Sequence, residues 1–326
     1  MERDAASAGA QRDTRALAAF LPSAYGLNPK SISPARRGFY GETWKIHTGG
    51  GDYFAKIDFW PCHKESYRAS LPIVQYMARR GLAFVPKVIE TLRGQLCCAF
   101  QGGVLALFAY VPGDLLEDYA LEDLYGCLSR VYALKTDSLA LETEDFSDEI
   151  VRACANLARE PGLPESAQMA LRERERAIAH YAGRLAQFSA LCQKDRSGFH
   201  ITHGDAGGNF MSDGQHFFLV DWDSVKLAPI ERDAWVFMND PAQLRAIVRA
   251  LAQNGIAFQP RWERLCYYCY FYFFSYLEGY LASILSAPEA RGAKIAADMA
   301  EYLAGSWIYE RLEAAEHAKA VQAGKP

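Results

Sequence analysis

The sequence predicts an α+β protein with a small β-rich N-terminal lobe and a larger helical C-terminal lobe. The chain has 326 residues, which is more than one small core usually holds. Strand-like runs fill the first part of the chain and end at Val111. Helical spacing dominates after Pro112-Gly113. We therefore expect two domains, residues 1–111 and 112–326.

The predicted N-terminal lobe consists of short strands and one long helix. A short helix is expected from Thr14 to Leu21, ended by Pro22. Strands follow at 31–34, 43–46, 53–57 and 104–111, and residues 87–92 are expected to pair with 96–100. The pattern also predicts a helix over 64–80 with Gly81 at its end, either kinked at Pro72 or beginning near Ser70.

The predicted C-terminal lobe is mainly helical. Helices are expected over 115–139, 147–159, 165–194 and most of the chain after Asp240, with strands at 199–202 and 216–220. The apolar run 265–274 is too short to span a membrane and predicts a buried aromatic helix. Cys266 and Cys269 lie within it, but no second ligand pair of similar spacing supports a zinc site.

Charge and cysteine content exclude several classes of protein. Lys and Arg total 35 and Asp and Glu total 39, a formal net charge of −4, so nucleic-acid binding is not expected. The N-terminus has no apolar stretch of a signal peptide, and the prediction is a cytoplasmic protein without a membrane anchor. The eight cysteines are expected to be reduced thiols packed in the core.

Two polar loops carry the chemistry. His203-Gly204-Asp205 precedes Asn209, and Asp221-Trp222-Asp223 follows the second of two short strands that we expect to be neighbours. Asp, Asn and Gly often only cap turns. Here the four oxygen-bearing side chains of Asp205, Asn209, Asp221 and Asp223 would converge, and such ligands suit Mg²⁺. A carboxylate beside the metal can accept a proton from a substrate hydroxyl.

These two loops, with the run Ala228-Pro229-Ile230-Glu231-Arg232-Asp233, resemble the aminoglycoside phosphotransferase family, and most closely its spectinomycin phosphotransferase branch. The resemblance implies a bilobal protein-kinase-like fold. It also implies ATP-dependent transfer of the γ-phosphate to a hydroxyl of a small molecule, with aminoglycoside and aminocyclitol antibiotics as candidates. The alternatives are a kinase of another hydroxylated metabolite, choline-like or sugar, and a non-catalytic nucleotide-binding protein.

The resemblance also implies roles for particular residues. Asp205 matches the catalytic base, and Asn209 and Asp221 match the Mg²⁺ ligands. Lys56 matches the lysine on the ATP α and β phosphates. Gly38 lies in the loop that matches the phosphate cover. The backbone groups of Ala109 and Val111 match the hinge that meets adenine.

Two departures from the family pattern are visible. The loop between Asp205 and Asn209 is one residue short, and its two glycines would let Asn209 still reach the metal. The helix after Lys56 has no glutamate at the expected place. Either Glu65 pairs with Lys56 through a shifted helix, or that pair is absent.

The acceptor is expected to be a hydroxylated small molecule, and a cationic one would fit. The helix over 262–285 carries Glu278 and several tyrosines, which are amphipathic and often line wet clefts. Asp223, Glu231 and Glu278 are candidates to attract an ammonium group, although Glu231 is also suited to bracing the lobe.

Overall fold

The computed structural model describes residues 14–35, 41–59, 61–136 and 139–323. In chain order the elements are α1 (Thr14–Tyr25), β1 (Pro29–Pro34), β2 (Gly41–Thr48), β3 (Gly51–Asp58), α2 (Pro61–Arg79), β4 (Val88–Ile89), β5 (Cys98–Phe100), β6 (Gly103–Ala109), β7 (Asp114–Leu115), α3 (Leu121–Tyr132), α4 (Glu149–Leu157), α5 (Glu165–Glu173), α6 (Glu175–Cys192), β8 (Phe199–Thr202), β9 (Phe210–Ser212), β10 (Phe217–Leu219), β11 (Lys226–Pro229), α7 (Glu231–Ala234), α8 (Pro241–Gln253), α9 (Trp262–Ser286), α10 (Glu289–Ala304) and α11 (Ile308–Ala323). Two short 3₁₀ turns lie at Trp222–Ser224 and Trp235–Phe237.

The chain forms two compact units. The first consists of Met1–Glu117 and Gly207–Ser224, and the second of Asp118–Ala206 and Val225–Pro326. The first unit is therefore discontinuous in sequence. The limits 1–111 and 112–326 stay a prediction.

An antiparallel sheet forms the centre of the first unit. Its strand order is β1-β2-β3-β6-β4, and β5 also pairs with β6. Because successive side chains of a strand point to opposite faces, the sheet sorts its residues into two sets. One face packs with α1 into the core through Trp44, Ile46, Ala55, Ile57, Leu105 and Leu107. The other carries Thr43, Lys45, Phe54, Lys56 and Phe108, which line a cavity.

Both helices of the first unit differ from the prediction. Helix α1 does not stop at Pro22 but continues to Tyr25, because Leu17, Leu21 and Tyr25 bury one face against the sheet. This burial offsets the hydrogen bond that an internal proline removes. Helix α2 begins at Pro61 rather than at 64 or at Ser70, and it contains Pro72.

The strand pairing also corrects the prediction. Strands β4 and β5 do not pair with each other; both pair with β6, at Val88↔Phe108 and Cys98↔Leu105. A second sheet, β10-β9-β7, was only partly predicted. Where β7 approaches β9, Gly113 has a φ of +95°, and a Cβ there would collide with the Ser212 carbonyl. Only glycine fits this approach.

The second unit is built around α9, which contacts α4, α6, α7, α10 and α11. The predicted helix over 165–194 is two helices, α5 and α6, with a break at Arg174. The predicted helix over 115–139 is limited to α3. The sequence predicted that β8 and β10 are neighbours. This is wrong, because β8 pairs with β11 and β10 pairs with β9.

The cysteines follow the prediction of core packing only in part, because Cys97, Cys98 and Cys127 are half-buried. Cys266 and Cys269 are fully buried in α9. In the part of the chain that the structure describes, seven cysteines are free thiols. Across those same ranges, no helix is both long and apolar enough to cross a bilayer.

Candidate active site

The first unit contains a cavity of about 480 Å³. It is lined by the sheet, by α2, by β7, by Asn209 and Met211 at β9, and by residues 220–223 after β10. Five of the residues predicted for nucleotide and metal binding line it together: Lys56, Ala109, Val111, Asn209 and Asp221. Gly38, predicted for the phosphate cover, lies outside the described residues. The sixth described site residue, Asp205, belongs to the second unit.

Lys56 is the most strongly constrained charge in the cavity. Its side chain is 13% exposed, and its Nζ donates to Asp221 Oδ1 at 2.6 Å and also to Asp223 Oδ2. Burial lowers the pKa of the Lys56 ammonium, but the charges of Asp223 and Asp221 outweigh it and hold the pKa above its ordinary value. Lys56 therefore keeps its positive charge in the cavity.

Sequence analysis did not identify Asp223 as a partner of Lys56. Burial and the like charge of Asp221 raise the pKa of Asp223 despite its contact with Lys56. Glu65 is not the partner, because it bonds Arg68 Nη1 at 2.7 Å on the exposed side of α2. Of the two alternatives left by the sequence, the Lys56–Glu65 pair is wrong. The Asp-x-Asp spacing was the signal for an acid supplied from elsewhere.

The segment that carries Asn209 and Asp221 is held by its own contacts. Val220 N–H donates to the Asn209 carbonyl at 3.1 Å, and Trp222 Nε1 donates to the Leu219 carbonyl at 2.8 Å. Asp221 has a φ of +61°, a left-handed conformation that Asp tolerates better than most residues and that marks functional sites.

The donor chemistry of this segment fits a magnesium ion. Asp221 supplies a carboxylate and Asn209 an amide oxygen to the same cavity. Mg²⁺ is usually held by one or two protein oxygens, with waters and substrate phosphates completing its shell. In the described ranges, no group of three His, Cys, Asp or Glu side chains gathers as a metal site.

The strand that ends at Ala109 leads into the residues predicted for the hinge. Ala109 N–H donates to the Lys87 carbonyl at 2.9 Å, so Ala109 can offer a base only its carbonyl oxygen. Tyr110 N–H donates to the Asp52 carbonyl at 3.1 Å and fixes the next peptide. The rings of Phe54 and Phe108 lie 6.4 Å apart on the cavity wall. These two rings give this part of the cavity wall an apolar surface.

In the second unit, the loop that carries Asp205 is anchored by Asp233. The Asp233 carboxylate accepts from Gly204 N–H at 2.5 Å, from His203 N–H at 3.1 Å and from the Tyr132 hydroxyl at 2.9 Å. His203 is fully buried, and its Nδ1 lies 3.2 Å from the Asp205 N–H. Buried bonds to a charged acceptor hold this loop firmly.

The same loop requires glycine at 204. Gly204 has a φ of +88°, and a Cβ there would collide with the Arg232 guanidinium. Its carbonyl accepts from the Tyr272 hydroxyl at 2.8 Å. Asp205 itself is exposed. Burial raises the pKa of the Tyr119 phenol, and the negative charge of Asp205 raises it further. Asp205 is thus an accessible carboxylate on a rigid backbone.

Three of the six tyrosines of α9 are buried and do not line a cleft. Tyr267, Tyr268 and Tyr270 are fully buried, and the hydroxyl of Tyr267 donates to the Ser147 carbonyl at 2.8 Å. Tyr276, by contrast, is 40% exposed. Glu231 is buried and accepts from Arg261 N–H at 3.0 Å, so it braces the unit rather than attracting a substrate.

Solved structures similar to this one include kinases and phosphotransferases. A spectinomycin phosphotransferase in complex with ADP and spectinomycin is 16% identical, with a TM-score of 0.72, covering 92% of this chain and 98% of that one. An amicoumacin kinase in complex with AMP-PNP, Ca²⁺ and Ami is 13% identical, with a TM-score of 0.60 and coverage of 89% and 93%. The macrolide 2′-phosphotransferase apoenzyme from Brachybacterium faecium is 14% identical, with a TM-score of 0.55 and coverage of 88% and 97%.

The predicted α+β, protein-kinase-like fold is confirmed by these similarities. No curated protein sequence matches the chain. A sequence model of the phosphotransferase enzyme family matches residues 31–268. This span includes Lys56, the predicted hinge residues Ala109 and Val111, the Asp205 loop and the Asp221 segment. The chain belongs to the phosphotransferase enzyme family.

Proposed function

We propose that the protein is an ATP-dependent kinase that phosphorylates a hydroxyl group of an antibiotic of the aminoglycoside or aminocyclitol type. The observation that supports this most directly is Lys56 held between Asp221 and Asp223 in a cavity that also contains Asn209. Phosphoryl transfer needs positioning and charge neutralisation more than covalent chemistry from the protein. A buried lysine beside carboxylates supplies both requirements.

ATP occupies the cavity of the first unit in this proposal. Its volume of about 480 Å³ lies within the usual range for small-molecule sites. The adenine ring accepts from Val111 N–H and donates to the Ala109 carbonyl, against the Phe54 and Phe108 rings. The Lys56 ammonium binds the α and β phosphates. ADP in the spectinomycin phosphotransferase and AMP-PNP in the amicoumacin kinase support this choice of nucleotide.

Asn209 and Asp221 hold the Mg²⁺ that accompanies ATP. When bound, this ion neutralises charge on the phosphates that the nucleotide presents. Asp221 is suited to the task because it is 41% exposed and directed by its left-handed backbone. Asn209 adds a neutral oxygen, which limits the negative charge gathered beside the phosphates.

Asp205 acts as the base. It orients the acceptor hydroxyl and takes its proton as the hydroxyl oxygen bonds to the γ-phosphorus. The bond from that phosphorus to the β-γ bridging oxygen breaks, and ADP leaves with the electron pair. Asp205 suits this role because its carboxylate is accessible while Asp233 and Tyr272 hold the backbone around it.

The acceptor class rests on two lines of support. The similar proteins are described with spectinomycin, amicoumacin and macrolide substrates, all hydroxylated small molecules. The chain carries a formal net charge of −4, which favours a cationic ligand over an anionic one. An amine-bearing antibiotic satisfies both.

The test is a panel of acceptors with Mg-ATP. Spectinomycin, aminoglycosides, a macrolide, choline and simple sugars are each incubated with the wild type and with Asp205→Asn. ADP formation is followed and the products are analysed by mass spectrometry. We expect one class of antibiotic to gain a single phosphoryl group with the wild type only. ADP formation without any phosphorylated acceptor would contradict the proposal, and a phosphorylated sugar or choline would redirect it to a metabolite.

A further inference from the structure

Lys56 needs an anionic partner in the cavity, and helix α2 does not provide one. Among the described side chains of α2, those that line the cavity are Ser70, Leu71 and Val74, none of which is charged. The acid of the same helix, Glu65, is 79% exposed and bonds Arg68. A buried ammonium without a carboxylate partner would be strongly destabilising.

Asp223 fills this position from another part of the chain. Its carboxylate contacts Lys56 Nζ, and its side chain is 30% exposed against 41% for Asp221. The 3₁₀ turn Trp222–Ser224 that carries it packs against α2. The same turn is fixed by the bond from Trp222 Nε1 to the Leu219 carbonyl. Asp223 is therefore both the less exposed acid and the one braced by α2.

We propose that Asp223 is a positioning residue that orients Lys56 for phosphoryl transfer, replacing the helix acid that α2 lacks. This inference rests on the proposed function. Asp221 is shared between Lys56 and the metal, so its hold on Lys56 weakens when it binds the ion. Asp223 keeps the ammonium in place in that state. It acts through Lys56 and does not itself hold the metal or the substrate.

The first experiment separates a positioning role from a metal role. Asp223→Asn should lower kcat by about tenfold to a hundredfold, because small misplacements of catalytic groups have effects of this order, with a smaller change in KM for ATP. The Mg²⁺ concentration for half-maximal turnover should stay at the wild-type value. Asp223→Glu should restore most of the loss, and Glu65→Gln is the matched control, with turnover unchanged. A raised Mg²⁺ requirement in Asp223→Asn would overturn the proposal and make Asp223 a metal ligand.

The second experiment asks whether Asp223 acts through Lys56. Turnover of Lys56→Met should equal that of the double variant Lys56→Met/Asp223→Asn. Both of these variants lose the lysine charge, so the comparison stands even where Asp223→Asn alone folds poorly. A further loss in the double variant would overturn the proposal.

The wild type, Lys56→Met, Asp223→Asn and the double variant are also compared by urea unfolding without nucleotide. The double variant should lose less stability than the two single variants together, since the ion pair is already broken in each. Additive losses would argue against the Lys56–Asp223 pair. This readout is independent of the proposed function. An inactive wild type would refute the kinase proposal, whereas an active wild type with an equally active Asp223→Asn would refute only the role of Asp223.

Discussion

Replacing Asp233 by Asn should destabilise the second unit strongly. Asp233 is 6% exposed, and its carboxylate accepts from Gly204 N–H, His203 N–H and the Tyr132 hydroxyl. A hydrogen bond to a charged acceptor contributes about 1.5–3 kcal/mol. Asn has nearly the same volume and keeps one acceptor oxygen. Its amide NH₂ group, however, would face N–H or O–H groups that also donate, so at least one of these hydrogen bonds is lost. We therefore expect a loss of about 3–5 kcal/mol in the free energy of unfolding.

Urea unfolding followed by circular dichroism measures this loss. The matched control is Asp240→Asn in the same unit, where the carboxylate caps α8 by accepting from the N–H groups of Ala242 and Gln243. Asn caps helices as well as Asp does, so this control should change stability by less than about 0.5 kcal/mol. A loss below about 1 kcal/mol in Asp233→Asn would refute the view that its charge holds the Asp205 loop.

Three further predictions concern single side chains. Asp205→Asn should lower turnover by about 10²–10⁴-fold while ADP affinity and melting temperature stay near wild type; a stable variant with normal turnover would exclude Asp205 as the base. Asp221→Ala should abolish turnover and remove the effect of Mg²⁺ on ADP affinity, measured by calorimetry with and without EDTA. Burial raises the pKa of Glu316, but bonds from Tyr270 and His180 outweigh this and lower it. The stability that wild type has over Glu316→Gln should therefore be present at pH 7 and shrink below about pH 4 in urea titrations, and a pH-independent difference would contradict this reasoning.

Much of the candidate site could be predicted from sequence because its residues lie in short, local motifs. Strand alternation alone places Lys56 opposite the face that carries Ala55 and Ile57. The loop residues Asn209 and Asp221 were assigned by motif, and the structure brings both to the cavity that holds Lys56. The loop between Asp205 and Asn209, one residue shorter than in the family pattern, does not keep Asn209 from the cavity.

What escaped prediction depends on contacts between distant segments. The pattern at 87–100 marks two strands, but nothing local indicates that β6 is the partner of both. Strands β7 and β9 have two and three residues, too few for a period to show. The extension of α1 past Pro22 depends on burial against the sheet. The pairing of Asp223 with Lys56 joins residues 167 positions apart, so the sequence offered only two signals for it: the Asp-x-Asp spacing and the missing acid on α2.

The insertion of Gly207–Ser224 into the first unit has a consequence for synthesis of the chain. When residue 117 has been synthesised, the nascent chain contains every strand of the central sheet but not yet Asn209, Asp221 or Asp223. At about 5–20 residues per second, translation of the stretch up to residue 224 takes roughly 5–20 s. During that interval the nascent chain carries Lys56 without its carboxylates and β7 without β9. The N-terminal segment thus cannot complete its fold until residues 207–224 have been synthesised. An expressed fragment ending at residue 117 would lack both the carboxylates of Lys56 and the partner strand of β7.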